Sequence, residues 1–93
     1  MRFEWDAAKS EACFQDRGFD FAFASYVFRD AKRIERKDTR RRYAEPRFQT
    51  IGEINGLTYF VAFTRRRGAI RIISARKADD EEDAFYREGG VWH

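Results

Sequence analysis

The chain has 93 residues and a formal net charge of +3, and 43% of its residues are hydrophobic and 17% aromatic. This length favours a single domain, residues 1–93, and the aromatic content argues for a packed core rather than disorder. The sequence has no apolar run of 18 residues and no charged-then-apolar leader, so we expect no membrane span, no secretory signal and a cytoplasmic location.

An N-terminal helix is predicted from Asp6 to about Arg17. Asp6 is a favourable cap, and Gly18 lies where helices commonly end. The residues expected on its buried face are Trp5, Ala8 and Ala12. The single cysteine, Cys13, cannot form an internal disulfide, so we expect a small buried side chain in a reducing compartment.

A second helix is predicted after Asp20, which can cap it. The residues spaced to bury one stripe of this helix are Phe21, Ala24 and Phe28. The many phenylalanines in residues 19–28 also permit an extended segment.

An antiparallel sheet of three to four strands is predicted next. The candidate strands are residues 30–37, 47–54, 57–64 and 70–77, with a polar loop at residues 38–46. Asn55 and Gly56 favour a type I′ turn because both tolerate positive φ, and Gly68 permits a second turn. Residues 57–64 are apolar on both faces, so that strand should lie centrally, with helices over one side of the sheet.

A C-terminal helix is predicted after Asp79. Asp79 and Glu82 have the spacing of a capping box, and the helix should end at Gly89 and Gly90. The residues expected to face the body are Ala84, Phe85 and Tyr86. The elements together predict an α+β domain with two N-terminal helices, an antiparallel sheet and a C-terminal helix.

Charge is segregated along the chain. Residues 29–42 carry eight basic and three acidic side chains, residues 65–77 carry six basic and none acidic, and residues 79–83 are all acidic. If the two basic blocks converge, they form a surface suited to a polyanion, because neutralised phosphates release condensed counterions. Two solvated stretches without a partner are the alternative.

Several chemistries are disfavoured by residue content. The single histidine is His93, so a Ser–His–Asp or Cys–His arrangement would need its base on a terminal residue. The sequence has no His/Cys cluster for zinc and no glycine-rich phosphate loop, and the acidic run is better explained by helix capping. We therefore expect no metal and no cofactor.

RNA suits the chemistry that remains, because it brings its own nucleophile. Its 2′-hydroxyl can attack the adjacent phosphodiester if the backbone is held in line, so a protein needs mainly to position the chain and stabilise charge. Arginine binds phosphate oxygens bidentately and stays charged. Strand alternation, however, places Arg71 and Arg76 on opposite faces, so a bulge or an edge position is needed before both can contact one phosphate. Surface salt bridges are an equally available role for both.

Four segments together resemble the BrnT family. They are FEWD at residues 3–6 followed by Lys9, VFRD at 27–30, EPRFQTIG at 45–52 and IRIISARKA at 70–78. The resemblance implies a fold similar to the RelE/ParE toxins, ribonuclease activity on RNA and a BrnA-like antitoxin partner. It also implies a heterotetramer with two copies of each chain, in which operator DNA is bound only through the antitoxin.

The resemblance also implies site residues. The expected catalytic residues are Arg71, Arg76, Arg66, Lys9 and Glu45, and the expected RNA-binding residues are Arg47, Arg65, Arg67 and Lys77. Lys9 would contact a phosphate or donate a proton, or be an ordinary exposed lysine, and Glu45 would accept the 2′-hydroxyl proton or orient an arginine. Trp5 and Asp6 are expected to be structural, through packing and capping.

This chain departs from the family pattern at the end of the first helix. Relatives carry an asparagine and then Lys-His-Gly, where this chain has Cys13 and Asp16-Arg17-Gly18. A mechanism led by arginine is therefore expected rather than one that depends on histidine. The alternatives are a nucleic-acid-binding module that does not cut, and an interaction protein that docks an acidic or disordered chain.

Overall fold

The computed structural model describes residues 1–92, and His93, the histidine considered above, lies outside the described residues. The strands are β1 (Arg2–Trp5), β2 (Ile34–Asp38), β3 (Arg47–Ile54), β4 (Leu57–Arg66) and β5 (Ala69–Lys77). The helices are α1 (Ala7–Arg17), α2 (Phe21–Ala24) and α3 (Asp80–Arg87), with a 3₁₀ helix at Ser25–Arg29. The predicted α+β class is confirmed.

The sheet differs from the prediction in strand number and direction. Its order is β1-β5-β4-β3-β2, and β1 runs parallel to β5 whereas the other pairs are antiparallel. The prediction of three to four antiparallel strands is therefore wrong, since the sheet has five strands and is mixed. The strand predicted at residues 30–37 begins at Ile34. β4 is central, as its two apolar faces indicated.

Helix α1 has the predicted ends but a different buried face. Asp6 accepts a hydrogen bond from the Lys9 amide, and Gly18 closes the helix at φ 84°. Ala8 and Ala12 are exposed, whereas Ser10 and Cys13 are buried. The predicted face is wrong at Ala8 and Ala12, whereas Trp5 packs against the core as predicted. Ser10 anchors the buried side, since its hydroxyl accepts a hydrogen bond from the Phe21 amide at 3.0 Å.

The second helix is capped by Asp20 as predicted but leaves α-helical geometry after one turn, continuing as the 3₁₀ helix. The predicted stripe is confirmed, since its members Phe21, Ala24 and Phe28 are all buried. Gly52 of β3 allows this segment to approach the sheet, because a Cβ at that position would lie 2.9 Å from the Val27 carbonyl oxygen.

Two tight turns join the central strands. Asn55 and Gly56 have φ values of 50° and 88°, the positive pair that the type I′ prediction requires. Arg67 and Gly68, between β4 and β5, have φ values of 51° and 79°. An arginine therefore occupies a left-handed position that favours glycine or asparagine.

The sheet has two faces with different coverings. The core face, marked on β4 by Tyr59, Val61 and Phe63, packs against α1, α2 and the 3₁₀ helix. The outer face, marked on β4 by Thr58, Phe60 and Thr64, contacts α3 at one end only. Helices therefore lie on both sides of the sheet and not on one side as predicted.

Helix α3 is docked by polar contacts. Its predicted capping box between Asp79 and Glu82 is present, but no residue of the helix is buried, and Ala84 is exposed rather than facing the body. The contacts pair Glu82 with Arg76, Asp83 with Thr58, Tyr86 with Asp30 and Arg87 with Glu53. No helix within residues 1–92 is long and apolar enough to cross a bilayer.

Candidate active site

A row of side chains crosses the outer face from edge to edge. Each strand contributes one residue, and neighbours are directly paired in register: Glu4, Arg71, Thr64, Arg47 and Asp38. Directly opposed residues share a face, with β carbons about 4.5–5.5 Å apart. Because Arg71 and Arg47 are two strands apart, their backbones are separated by roughly 10 Å, a gap that two long guanidinium side chains can bridge onto one phosphate.

A β-bulge sets the direction of the side chains on β5. Ile72 and Ser74 pair with consecutive residues of β4, so Ile73 between them has no partner on that strand. The extra residue reverses the alternation beyond it, which places Arg71 and Arg76 on the same face. The two arginines were expected on opposite faces unless a bulge or an edge position intervened, and the bulge is present.

Five of the predicted site residues line one cleft on the outer face, which we call the central cleft: Lys9, Glu45, Arg47, Arg66 and Arg71. Its other lining residues are Tyr43, Ala44, Thr64 and Ile73. The cleft has a volume of ≈ 210 Å³, below the roughly 300–1,000 Å³ of pockets that enclose small molecules. This size suits a polymer that passes over the cleft better than a small molecule held inside it.

Arg66 and Glu45 form a two-point ion pair in the central cleft. Arg66 donates from Nε, at 3.0 Å, and from a terminal nitrogen to the two carboxylate oxygens. This hydrogen bonding lowers the pKa of Glu45 and raises the pKa of Arg66. Glu45 is therefore an ionised carboxylate whose two oxygens are both engaged in the resting protein.

Arg71 forms a longer ion pair, with Glu4, than Arg66 forms with Glu45. Its guanidinium lies 3.6 Å from a carboxylate oxygen of Glu4, and its side chain is 30% exposed. Charge-assisted hydrogen bonds are usually about 2.7–2.9 Å long, so this contact is an ion pair without close hydrogen bonding. An incoming phosphate can therefore compete for Arg71 more easily than for Arg66.

Aromatic stacking positions Arg47. Its guanidinium lies 4.5 Å from the centre of the Tyr43 ring, and the Tyr43 hydroxyl donates to Asp38 at 2.9 Å. Thr64, between the two arginines of the row, donates to the Pro46 carbonyl at 2.6 Å and so ties the loop before β3 to β4. Among residues 1–92, no acid forms an ion pair with Arg47.

Lys9 reaches the central cleft because β1 is short. The strand pairs with β5 only as far as Ile72, and α1 begins two residues after Trp5, so the first turn of α1 lies beside the uncovered edge of β5 at Ile73. Within the described part of the chain the Lys9 ammonium has no ion-pair partner.

Arg76 lies apart from these residues. It forms a two-point ion pair with Glu82 of α3, at 2.7 and 3.0 Å, and stacks on Phe60 at 4.1 Å. It does not line the central cleft. Its position therefore favours holding α3, and the predicted catalytic role remains a prediction.

The remaining predicted RNA-binding residues are dispersed. Arg65 and Lys77 are paired in register with core-face residues, and Arg65 forms an ion pair with Glu35 at 3.0 Å. Arg67, at the β4–β5 turn, lines a second cleft beside the central one. The structure therefore brings together five of the nine predicted residues, with Arg67 adjacent to them.

Sequence reasoning missed four residues of this site. Glu4, Thr64 and Asp38 belong to the row, and Tyr43 carries the stacked Arg47. Thr64 could have been found from strand alternation, because it lies two residues before Arg66 on the same strand. Glu4 could not, since its strand was not predicted.

Within the described residues, no group of three or more His, Cys, Asp or Glu side chains is placed to hold a metal ion. The absence of a cofactor remains an expectation. The charged groups present can bind a phosphodiester, neutralise charge on it and exchange a proton through Glu45 or Lys9.

A family model described as the ribonuclease toxin BrnT of type II toxin–antitoxin systems matches residues 5–82. The chain belongs to the BrnT family. The match includes every residue that lines the central cleft, from Lys9 to Ile73. Membership makes the chain a ribonuclease toxin with an antitoxin partner, in the general terms of the family description. None of the curated proteins compared with the chain matches it.

Proposed function

We propose that this BrnT family member is a metal-independent endoribonuclease that cleaves cytoplasmic RNA through its central cleft and thereby inhibits translation and growth. The observation that carries the proposal is the row on the outer face, in which Arg71 and Arg47 flank Thr64 while Arg66 and Lys9 lie beside them. Four cationic side chains around one small cleft can neutralise the negative charge that a phosphodiester gains in its pentacoordinate transition state.

The reaction follows from the substrate. The 2′-oxygen attacks the adjacent phosphorus, the bond from phosphorus to the 5′-oxygen breaks, and the products carry a 2′,3′-cyclic phosphate and a 5′-hydroxyl. Arg71 and Arg47, which lie on either side of Thr64 in the row, bind the non-bridging oxygens of the phosphate. Their fixed positions hold the phosphate in line and stabilise its added negative charge.

Two protons must move in this step. The 2′-hydroxyl loses one, and the leaving 5′-oxygen gains one. We assign the first to Glu45, which becomes available as a base when the phosphate draws Arg66 away from it. We assign the second to Lys9, whose ammonium carries a proton and which lines the same cleft as Glu45.

The test is cleavage of total RNA by the purified protein in EDTA. Wild type should cut RNA, and the products should have 5′-hydroxyl ends that a polynucleotide kinase labels without prior dephosphorylation. Arg71→Ala should lower the cleavage rate by roughly 10²–10³, the usual cost of removing one transition-state donor. Arg29→Ala, an exposed arginine of the 3₁₀ helix, is the matched control and should cut normally.

Intact RNA with wild type, whether EDTA or magnesium is present, would overturn the ribonuclease proposal and leave RNA binding alone. Activity that returns only with a divalent cation would overturn metal independence. A growth assay with alanine at Lys9, Glu45, Arg47, Arg66, Arg71 and Arg76 checks the same assignment in cells.

We further propose that the antitoxin is BrnA-like, that the inactive complex contains two copies of each chain, and that operator DNA is bound through the antitoxin. The support is family membership. Size-exclusion chromatography with light scattering of the co-expressed pair gives the stoichiometry directly. A 1:1 heterodimer at micromolar concentration would contradict it.

A further inference from the structure

Two larger clefts adjoin the central cleft, one on each side. The hairpin cleft is lined by Arg2, Glu4, Glu45, Arg66 and Arg67, with a volume of ≈ 670 Å³, and shares Glu45 and Arg66 with the central cleft. The loop cleft is lined by residues 37–43 and Pro46, with a volume of ≈ 420 Å³, and shares Tyr43. The three clefts therefore form one groove across the outer face.

Each end of this groove carries a pair of uncommitted arginines. They are Arg2 and Arg67 in the hairpin cleft and Arg41 and Arg42 in the loop cleft. Within residues 1–92, none of the four forms an ion pair or stacks on an aromatic ring, in contrast to Arg66, Arg71 and Arg47 between them. Their charges are available to a ligand.

The loop that carries Arg41 and Arg42 is anchored by a buried carboxylate. Asp38 is 7% exposed and accepts hydrogen bonds from Arg40, through Nε at 3.0 Å and a terminal nitrogen at 2.8 Å, and from the Tyr43 hydroxyl. These contacts hold the pKa of Asp38 well below its ordinary value. The residues on either side of Arg41 and Arg42 are thus fixed while the two arginines stay exposed.

The hairpin end is unusual in its backbone. Arg67 has a φ of 51°, where asparagine or glycine would be relaxed. Strained residues that persist commonly mark functional positions. A cation therefore occupies the turn that borders the groove, although an asparagine would fit the backbone better.

We propose that the groove binds an extended single strand of RNA, with phosphates on one side of the cut held by Arg2 and Arg67 and phosphates on the other side held by Arg41 and Arg42. The polymer's identity rests on the proposed function. The groove crosses all five strands, a width of about 20 Å at the usual strand spacing. The substrate therefore needs unpaired nucleotides on both sides of the scissile link.

The test measures binding separately from cleavage. The probe is a fluorescent 12-nucleotide oligouridine with 2′-O-methyl groups, which lacks the attacking hydroxyl and is not cut. Anisotropy gives its affinity at several salt concentrations. Arg41→Ala/Arg42→Ala and Arg2→Ala/Arg67→Ala should each reduce the slope of log affinity against log salt by about 1.4, since each phosphate contact on a single strand contributes about 0.7.

The control is Arg29→Ala/Lys32→Ala, which removes the same charge near the start of β2, at the opposite end of that strand from the loop. Its slope should stay close to that of wild type. A four-nucleotide probe, too short to reach both ends of the groove, should respond to at most one of the two groove pairs.

If the salt slopes of both double variants, Arg41→Ala/Arg42→Ala and Arg2→Ala/Arg67→Ala, equal the slope of the control, the inference is overturned, even if wild type cuts RNA. Reduced slopes in a protein that never cuts RNA would support the groove and overturn the ribonuclease proposal instead. Failure of wild type to bind the 12-nucleotide probe would overturn the groove.

Discussion

At the scale of single residues, Glu45 and Arg66 determine each other's ionisation. The hydrogen bonds from Arg66 lower the pKa of Glu45, so the carboxylate is charged over the whole neutral range but is a weak base while paired. A base that is released only when the phosphate attracts its partner links proton transfer to substrate binding. The pair thus has a role that neither residue has alone.

This coupling predicts a shift in pH dependence. Arg66→Ala removes the main cause of the lowered pKa, so the pKa of Glu45 should rise toward its ordinary value. If the ionised carboxylate is the base, activity is lost as pH falls through that pKa. The acidic limb of kcat/KM should therefore move to higher pH in the variant, measured on a defined RNA from acidic to slightly alkaline pH.

Glu45→Gln separates the two roles of the carboxylate. The amide keeps the shape and can still accept from Arg66, but it cannot take a proton. A turnover rate lower by roughly 10²–10⁴ supports the base. Near-normal turnover, with the acidic limb of Arg66→Ala in its wild-type position, would mean that Glu45 only orients Arg66.

The contacts of Arg76 favour a structural role, the docking of α3, over the catalytic role that the family motif implies. It stacks on Phe60 and binds Glu82, away from the central cleft. If Arg76 acts by docking α3, then Arg76→Ala and Glu82→Ala should both lower the melting temperature and have little effect on the rate of cleavage. Glu82→Ala also removes the bond that the Asp79 amide donates in the capping box, and Arg76→Ala also removes the stacking on Phe60, so the two decreases need not be equal.

A comparison of the two variants decides the matter. If Arg76→Ala alone slows cleavage by roughly 100-fold or more, while Glu82→Ala cuts normally, the Arg76 guanidinium contacts the substrate and has the role that the family motif implies. The measurements are the melting temperature and single-turnover cleavage.

At the scale of elements, the β4–β5 turn combines strain with a proposed contact. Arg67→Asn replaces a strained left-handed arginine with a residue suited to the first position of a type I′ turn. We expect the variant to gain about 0.5–2 kcal/mol in free energy of unfolding, the usual yield of such corrections. It should also bind the oligouridine probe more weakly.

The matched control is Asn55→Asp at the β3–β4 turn, where the side chain already suits its left-handed backbone and lies outside the groove. Chemical denaturation gives the free energy, and anisotropy gives the affinity. A more stable Arg67→Asn protein with unchanged affinity would show that Arg67 does not touch RNA.

The sequence predicted the elements that depend on local chemistry. Caps at Asp6, Asp20 and Asp79 and the turn at Asn55 were correctly placed, because a side chain or glycine determines each one within a few residues. β1 was missed because a four-residue strand carries little periodicity and is fixed by its parallel pairing with β5, a strand near the other end of the chain. Such pairing is decided by tertiary contacts.

The site was predictable to a similar extent. The types of residue followed from composition and the family motif, and five of them share the central cleft. Their convergence depends on strand register, which is not visible in the local pattern. The bulge at Ile73 is equally invisible there, and it turns Arg76 to the outer face without bringing it into the cleft. Arg65 and Lys77 were included because they are basic and near, but strand alternation places Arg65 on the other face, and the bulge at Ile73 places Lys77 there.

At the scale of the whole molecule, the net charge of +3 conceals an uneven distribution. Cations surround the groove on the outer face, whereas the acidic run at residues 79–83 begins α3 at the other end of that face. A polyanion approaching the protein is therefore steered toward the groove. An inhibitor that blocks cleavage by covering the groove must compete with RNA for the same cations.

Competition of this kind predicts that each of the two ligands weakens the binding of the other. Antitoxin should displace the 2′-O-methyl oligouridine from the protein, and by linkage the oligouridine should weaken antitoxin binding by the same factor. Arg47→Glu, which reverses a charge in the central row, should weaken both ligands, whereas Arg29→Glu should weaken neither.

Strand β2 forms one edge of the sheet, and this exposed edge is an alternative binding site for the antitoxin. Binding at the start of β2, away from Lys37 and Asp38 in the loop cleft, would leave the groove open. It would give a ternary complex in which the labelled oligouridine keeps its affinity and gains anisotropy from the larger mass. Displacement lowers the anisotropy and ternary binding raises it, so one titration distinguishes the two docks. A rise would also mean that the antitoxin inhibits cleavage without occupying the arginine row.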